Sequence, residues 1–288
     1  MIAVHPSAIV MLRARMKQTL VRPGFYIAVA AMLAIVLVVT QSFVRAIDSA
    51  SFHFANDPLM EVVVGTLIEL LGVSFVNYLF SQGPFLFSIH LVVFIFILGI
   101  GAIASSTFAY EMNSGFVDLI RVAPVARFHL SISAVLTSVI VTGIAILGML
   151  LLLTFIALVS NVFLGPLHVA AAVILLLFSV PVYSYAVLIG GIGLGPWVSM
   201  ATFVGVMAVL VVSAIADSLF VADSALHPVF GLASSVIRWI SPFHWFQLVW
   251  SAIQRGAFGI SVIAIVGLVA LAPLLLWIHG RTSERWGL

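Results

Sequence analysis

The sequence predicts an all-α membrane protein: six transmembrane helices with an N-terminal interfacial helix, a short cytoplasmic loop helix and outer amphipathic segments. Three observations carry this. Hydrophobic residues make up 64% of the 288 and charged residues 7%, with a mean hydropathy of +1.33, far from the roughly 45–50% apolar and about 25% charged usage of soluble domains. The apolar residues come in runs of about 20 or more, the length that crosses roughly 30 Å of hydrocarbon at 1.5 Å per residue. The eleven Lys and Arg residues fall between or at the ends of these runs, which assigns the basic pI to topology and not to a nucleic-acid partner.

Residues 6–20 place Ile9, Leu12, Met16 and Leu20 at helical spacing with basic residues between them, the pattern of a short helix lying on an anionic leaflet. Pro23-Gly24 turns the chain into the first span, near 25–46. Arg13, Arg15, Lys17 and Arg22 precede that run, and no small-residue cleavage pattern follows it, so it reads as a retained span and not a cleavable signal. Five further runs supply spans near 86–109, 130–159, 168–192, 197–220 and 258–279, with Pro181 expected to kink the fourth.

The segment 58–80 is long enough to cross, yet it carries Glu61, Gly65, Glu69 and Gly72 on one helical stripe. It reads as an amphipathic helix on the outer surface. With six spans and a cytoplasmic N-terminus, Arg13, Arg15, Lys17, Arg22, Arg121, Arg127, Arg281 and Arg285 fall inside, and Arg45, Arg238 and Arg255 fall outside. That bias places both termini in the cytoplasm and predicts a single multi-pass domain over 1–288 in the inner cell membrane. The second outer segment, 221–257, carries Arg238, Trp239, Pro242, His244, Trp245, Phe246 and Trp250, and its Trp and Phe density predicts an interfacial hairpin at headgroup depth. The uncharged, glycine-rich 190–197 predicts a tight cytoplasmic turn.

Most reaction chemistry is absent from the chain. There is no cysteine, so disulfides, thiolate metal sites and Cys nucleophiles are excluded. Lys17 is the only lysine and no phosphate-loop motif surrounds it, so the chain lacks a Walker-type nucleotide site of its own. No HExxH or Gly-x-Ser-x-Gly pattern occurs. The eight histidines, His5, His53, His90, His129, His168, His227, His244 and His279, form no i, i+3 or i+4 pair, and the expectation is no metal site, no resident cofactor and no enzyme activity in this chain alone. Ionisable residues are scarce within the spans, which disfavours a proton relay; Asp217 reads as an interfacial carboxylate. Gly99, Gly101, Gly143, Gly148 and Gly205 read as close helix-packing positions.

The informative segment is the loop 108–133 between the second and third spans. Asn113 or Ser114 is placed to cap a short helix with Phe116, Leu119 and Ile120 on one face, and Pro124 breaks it before Arg127 opens the next span. Such a helix, parallel to the membrane with a charged residue at each hinge, suits a groove on a soluble partner; an ordinary hairpin resting on lipid fits the same pattern. The spacing of Glu111, Gly115, Leu119-Ile120, Pro124 and Arg127 resembles the E-x-x-x-G…P-x-x-R signature of the permease subunits of type-2 ABC exporters. Ile240-Ser241-Pro242-Phe243-His244 resembles the S-P-F segment that those permeases carry in the outer hairpin before the last span.

The resemblance implies a cytoplasmic coupling helix over 111–127, with Glu111, Gly115, Phe116, Asp118, Leu119, Pro124 and Arg127 contacting an ATPase subunit, and Pro242, Phe243 and His244 in an outer hairpin. It further implies ATP and Mg held by two separate nucleotide-binding subunits, and a second permease chain completing a homo- or heterodimer. The cargo expected at the seam, by spans two and five, is hydrophobic or amphipathic. The rival reading is a non-transporting anchor or scaffold subunit of a larger membrane complex, docked through the outer amphipathic segments.

Overall fold

A computed structural model describes residues 6–21, 23–48, 84–114, 127–159, 164–219 and 237–285. Eight helices are bounded in it: α1 (Pro6–Val21), α2 (Pro23–Asp48), α3 (Pro84–Asn113), α4 (Arg127–Val159), α5 (Pro166–Gly190), α6 (Pro196–Leu219), α7 (Pro242–Gln254) and α8 (Phe258–Arg285). Among the described residues there is no strand. Six of the eight open on proline, which fits the first turn because its missing N–H has no helical partner there. The expected surface helix 58–80 and most of the loop 111–127 lie outside the described residues.

Among the described residues, five helices are long and apolar enough to cross a bilayer: Pro23–Gln41, Phe85–Asn113, His129–Val159, Pro166–Gly190 and Phe258–Arg281. A shorter apolar stretch, Pro196–Val211, opens α6. The chain is therefore a multi-pass, membrane-embedded α-helical protein. Its outer surface agrees: Leu147, Leu151, Phe155 and Leu158 form an exposed stripe along α4, placed for hydrocarbon and not for water.

Specific contacts fix the direction of each long helix. Gly24 and Phe25 of α2 line the same cavity as Phe108 and Glu111 of α3, while Thr40 donates to Ser88 Oγ at 3.2 Å at the opposite end, so α2 and α3 are antiparallel. Ala134 and Thr137, early in α4, line that cavity too. The His168 ring of α5 lies 6.5 Å from Phe85 at the start of α3, and Gly190 lies against Ser105 and Phe108 near its end. Ser199 O of α6 accepts from Ser105 Oγ at 3.2 Å, and His279 of α8 packs 5.8 Å from Phe108. The helices α2, α3, α4, α5, α6 and α8 thus alternate in direction, with α3 and α5 at the centre.

The core is aromatic. Phe94 of α3 stacks on Phe178 of α5 at 4.7 Å, and Phe243 and Phe246 of α7 close on both rings at 5.2–5.8 Å. Several polar side chains within the bundle bond inside it, as hydrocarbon favours: Thr142 pairs with Tyr183, and Thr137, Ser138 and Ser184 return to carbonyls four residues back. α5 continues through Pro181, and α8 likewise contains Pro273.

The packing of α7 shows which face of the expected hairpin the bundle covers. Phe243, Phe246 and Trp250 are 4%, 1% and 0% exposed. Phe94, the partner of Phe243, lies ten residues into α3, about 15 Å from its first turn at 1.5 Å per residue. His90, the partner of Trp250 at 4.8 Å, lies nearer that turn. α7 therefore starts within the bundle and climbs towards its far end, where Gly256 (φ +67°) reverses the chain into α8. The stripe Phe243, Phe246, Val249, Trp250 explains the burial: three- and four-residue spacing makes one helix face.

Candidate functional site at the junction end of the bundle

The last turn of α3 is where the most separate segments meet. Arg15 of α1 forms an ion pair with Glu111, its Nη2 donating to Oε2. Both side chains are largely buried, at 15% and 19% exposure. The Arg15 guanidinium carbon also lies 6.0 Å from the centre of the Phe108 ring, within cation–π range. A pair this enclosed is not a surface decoration, because removing one member strands the other charge in partly desolvated surroundings.

Arg15 reaches this position because α1 is not simply laid on lipid. Met11, Leu12, Arg15, Met16, Thr19 and Leu20 form its half-buried side, whereas Ile9, Arg13 and Lys17 are exposed. The helix packs on α4 and α2. The apolar stripe drawn through Ile9, Leu12, Met16 and Leu20 is thus rotated, and a cation sits within it. The legible signal was the spacing of Arg15 four residues after Met11 and four before Thr19, whose hydroxyl donates to Arg15 O at 2.9 Å.

The end of α3 is tied from two further sides. Asn113 Nδ2 donates to Leu194 O at 2.9 Å, in the turn between α5 and α6. Ser114 N donates to Tyr110 O at 3.0 Å and Ser114 Oγ to Glu111 O at 3.2 Å, finishing the helix. Ser114 thus closes α3, while Asn113 ties its end to the α5–α6 turn. The turn itself needs its glycines. A Cβ on Gly190 would stand 2.6 Å from Ser105 O, and one on Gly191 would stand 2.1 Å from the His279 ring; Gly193 has φ +83°.

Between these elements lies a cavity of about 260 Å³, lined by Arg15, Gln18, Thr19, Thr107, Glu111, Thr137 and Ser138 among its polar residues and by Phe25, Ala28, Ile100, Ile103 and Phe108 among its apolar ones. No family model, curated relative or solved structure matches the chain.

Of the residues singled out in the sequence, Glu111 stands in this junction and Arg127 is the first residue of α4. Gly115, Phe116, Asp118, Leu119 and Pro124 lie outside the described residues. Pro242, Phe243 and His244 are remote from the junction: Pro242 opens α7, Phe243 joins the aromatic core, and His244 packs 5.7 Å from Trp239. The break before α7 is pinned by Tyr185, whose hydroxyl donates to Ile240 O at 2.7 Å, and by Ser241, whose hydroxyl donates to Leu210 O at 3.0 Å. Sequence reasoning missed the Arg15–Glu111 pair, the Asn113–Leu194 tie, the Gly191–His279 contact and the role of Tyr185.

Proposed function

We propose that this chain is the transmembrane permease subunit of an ATP-driven type-2 ABC exporter, moving a hydrophobic or amphipathic substrate with energy from separate nucleotide-binding subunits. The observation that carries this reading is the clamp on the end of α3. Glu111, which opens the E-x-x-x-G motif, is held by Arg15, and Asn113 is held by the α5–α6 turn, immediately before the segment with Gly115, Phe116, Asp118, Leu119 and Pro124. A loop anchored this firmly at its entrance transmits a push to α1, α3 and the α5–α6 turn together, instead of flexing on its own.

In this reading α6 also crosses, as the fifth of six spans, the segment 111–127 is the cytoplasmic coupling helix, and both termini face the cytoplasm of an inner cell membrane. The alternating direction of six helices and the excess of Arg and Lys at the junction end support it. ATP and Mg belong to two ATPase partners, and a second permease chain completes the transport path at a seam that includes α3 and α6. ATP-driven closure of the ATPases would then favour one arrangement of the paired bundles over the other, a population shift set by differential contacts with the loop.

Because the natural chain has no cysteine, single cysteines report sidedness without background. Ser114→Cys is expected to react with a membrane-impermeant maleimide in inside-out vesicles and to stay unlabelled in intact cells. Labelling from outside the cell overturns the reading.

A further inference from the structure

Charge is balanced in the junction chamber, whereas hydrogen bonding is not. Its two charged lining residues, Arg15 and Glu111, pair with each other, so the lining selects neither an anion nor a cation. Three of its hydroxyl groups spend their proton on their own helix: Thr19 donates to Arg15 O at 2.9 Å, Thr137 to Ser133 O at 2.7 Å and Ser138 to Ala134 O at 3.1 Å. Each of these oxygens keeps lone pairs that accept. The Thr107 hydroxyl and the Gln18 amide line the same space and, among the described residues, have no hydrogen-bond partner. The occupant that suits this lining is neutral, donates as well as accepts, and is small enough to serve groups on three different helices.

We propose that the chamber is a hydrated vestibule: water enters at the junction end, beside Gln18 and the Arg15–Glu111 pair, and reaches Thr107 on α3 and Thr137 and Ser138 on α4. A water takes about 30 Å³ in the liquid, so a chamber of about 260 Å³ holds several. An acyl chain in the same place leaves Thr107 and Gln18 unpaired, which hydrocarbon penalises. Thr107 stands about 6 Å inside Glu111 along α3, and Ser138 about 16 Å from the start of α4, at 1.5 Å per residue. Solvent thus enters the bundle from one end, up to where Ile100, Ile103 and Val141 turn the lining apolar. The vestibule is built from this chain's residues alone and does not depend on an ATPase partner.

Single cysteines in the cysteine-free natural chain map this water. The full chain in nanodiscs exposes both membrane faces, and the probe is a charged methanethiosulfonate reagent that does not enter hydrocarbon. The thiolate is the reacting form and is scarce where water is excluded. Thr107→Cys and Ser138→Cys should react within about tenfold of the exposed Ser114→Cys, and Leu136→Cys at least about a hundredfold more slowly than Ser114→Cys. Leu136 is the matched control, because it is exposed in line with Ile140 and Ile144 on the apolar side of α4 and stands about 3 Å from Ser138 along the helix axis. Equal rates at Ser138→Cys and Leu136→Cys, fast or slow, overturn the proposal. So does modification of Thr107→Cys and Ser138→Cys by a lipid-soluble maleimide alone, which would assign the chamber to an acyl chain. If one of these two chains fails to fold, the other decides.

Discussion

Arg15 and Glu111 are ninety-six residues apart in sequence and share one enclosed ion pair, joining the helix that precedes the first span to the last turn of α3. Breaking a fully buried pair by removing one partner costs about 3–5 kcal/mol, and the residual exposure of both groups here reduces the expectation to about 1–2 kcal/mol. Arg15→Ala and Glu111→Ala should each lower stability in micelles by that amount. The double variant should cost less than their sum. Thermal or denaturant unfolding of the four species in a double-mutant cycle checks this; strict additivity would show that the two charges do not interact.

The Gly191–His279 contact predicts steric sensitivity without any charge. A methyl on Gly191 would stand 2.1 Å from Cε1 of the His279 ring, so Gly191→Ala should destabilise by about 1–3 kcal/mol, the usual cost of overpacking. His279→Ala in the same chain should recover part of that loss. Gly205→Ala, with nothing within 4 Å of the added Cβ, serves as a control and should be neutral or gain up to about 1 kcal/mol, since a mid-helix glycine is entropically unfavourable. Melting temperatures in one detergent compare the four.

The break between Ile240 and Pro242 depends on two hydroxyl groups: that of Tyr185 in α5, which donates to Ile240 O, and that of Ser241 in the break itself, which donates to Leu210 O of α6. Tyr185→Phe and Ser241→Ala should each remove about 1 kcal/mol, and trypsin or chymotrypsin should then cut more readily near the break. By contrast, Phe178→Ala removes a ring shared by Phe94, Phe243 and Phe246 and should cost about 3–5 kcal/mol.

Tryptophan fluorescence tests the depth of α7 directly. Trp250 is fully buried and packed on His90, whereas Trp277 is 57% exposed on α8. In single-tryptophan chains reconstituted with brominated lipid, Trp277 should be quenched strongly and Trp250 only weakly. Strong quenching of Trp250 would return α7 to the bilayer interface.

The long helices are legible because hydrocarbon demands runs of apolar residues and because prolines mark where they begin: Pro23, Pro84, Pro166 and Pro196 each open an apolar helix within a few residues of the expected boundary. Depth and partnership are less legible. Trp250 belongs to a residue type common at interfaces, and only its spacing from Phe243 and Phe246 tells of a buried face. Arg15 resembles its exposed neighbours Arg13 and Lys17 until the rotation of α1 is known, because a cation in a mostly apolar stripe implies a partner that local sequence does not name. Glu111 was legible from its motif, but the anchors beside it were not, since Leu194 and His279 come from distant parts of the chain. Gly115, Phe116, Asp118, Leu119 and Pro124 lie outside the described residues.

The central claim is that the loop leaving Glu111 receives work from an ATPase. Co-expression of the chain with a candidate nucleotide-binding subunit, purification through a tag on this chain, and assay of vanadate-sensitive ATP hydrolysis in nanodiscs test it most directly. The account predicts a stable complex whose hydrolysis falls at least about tenfold, the equivalent of about 1.4 kcal/mol, in Glu111→Ala and Arg127→Ala chains that still fold. Unchanged complex formation and unchanged hydrolysis in both variants would contradict it.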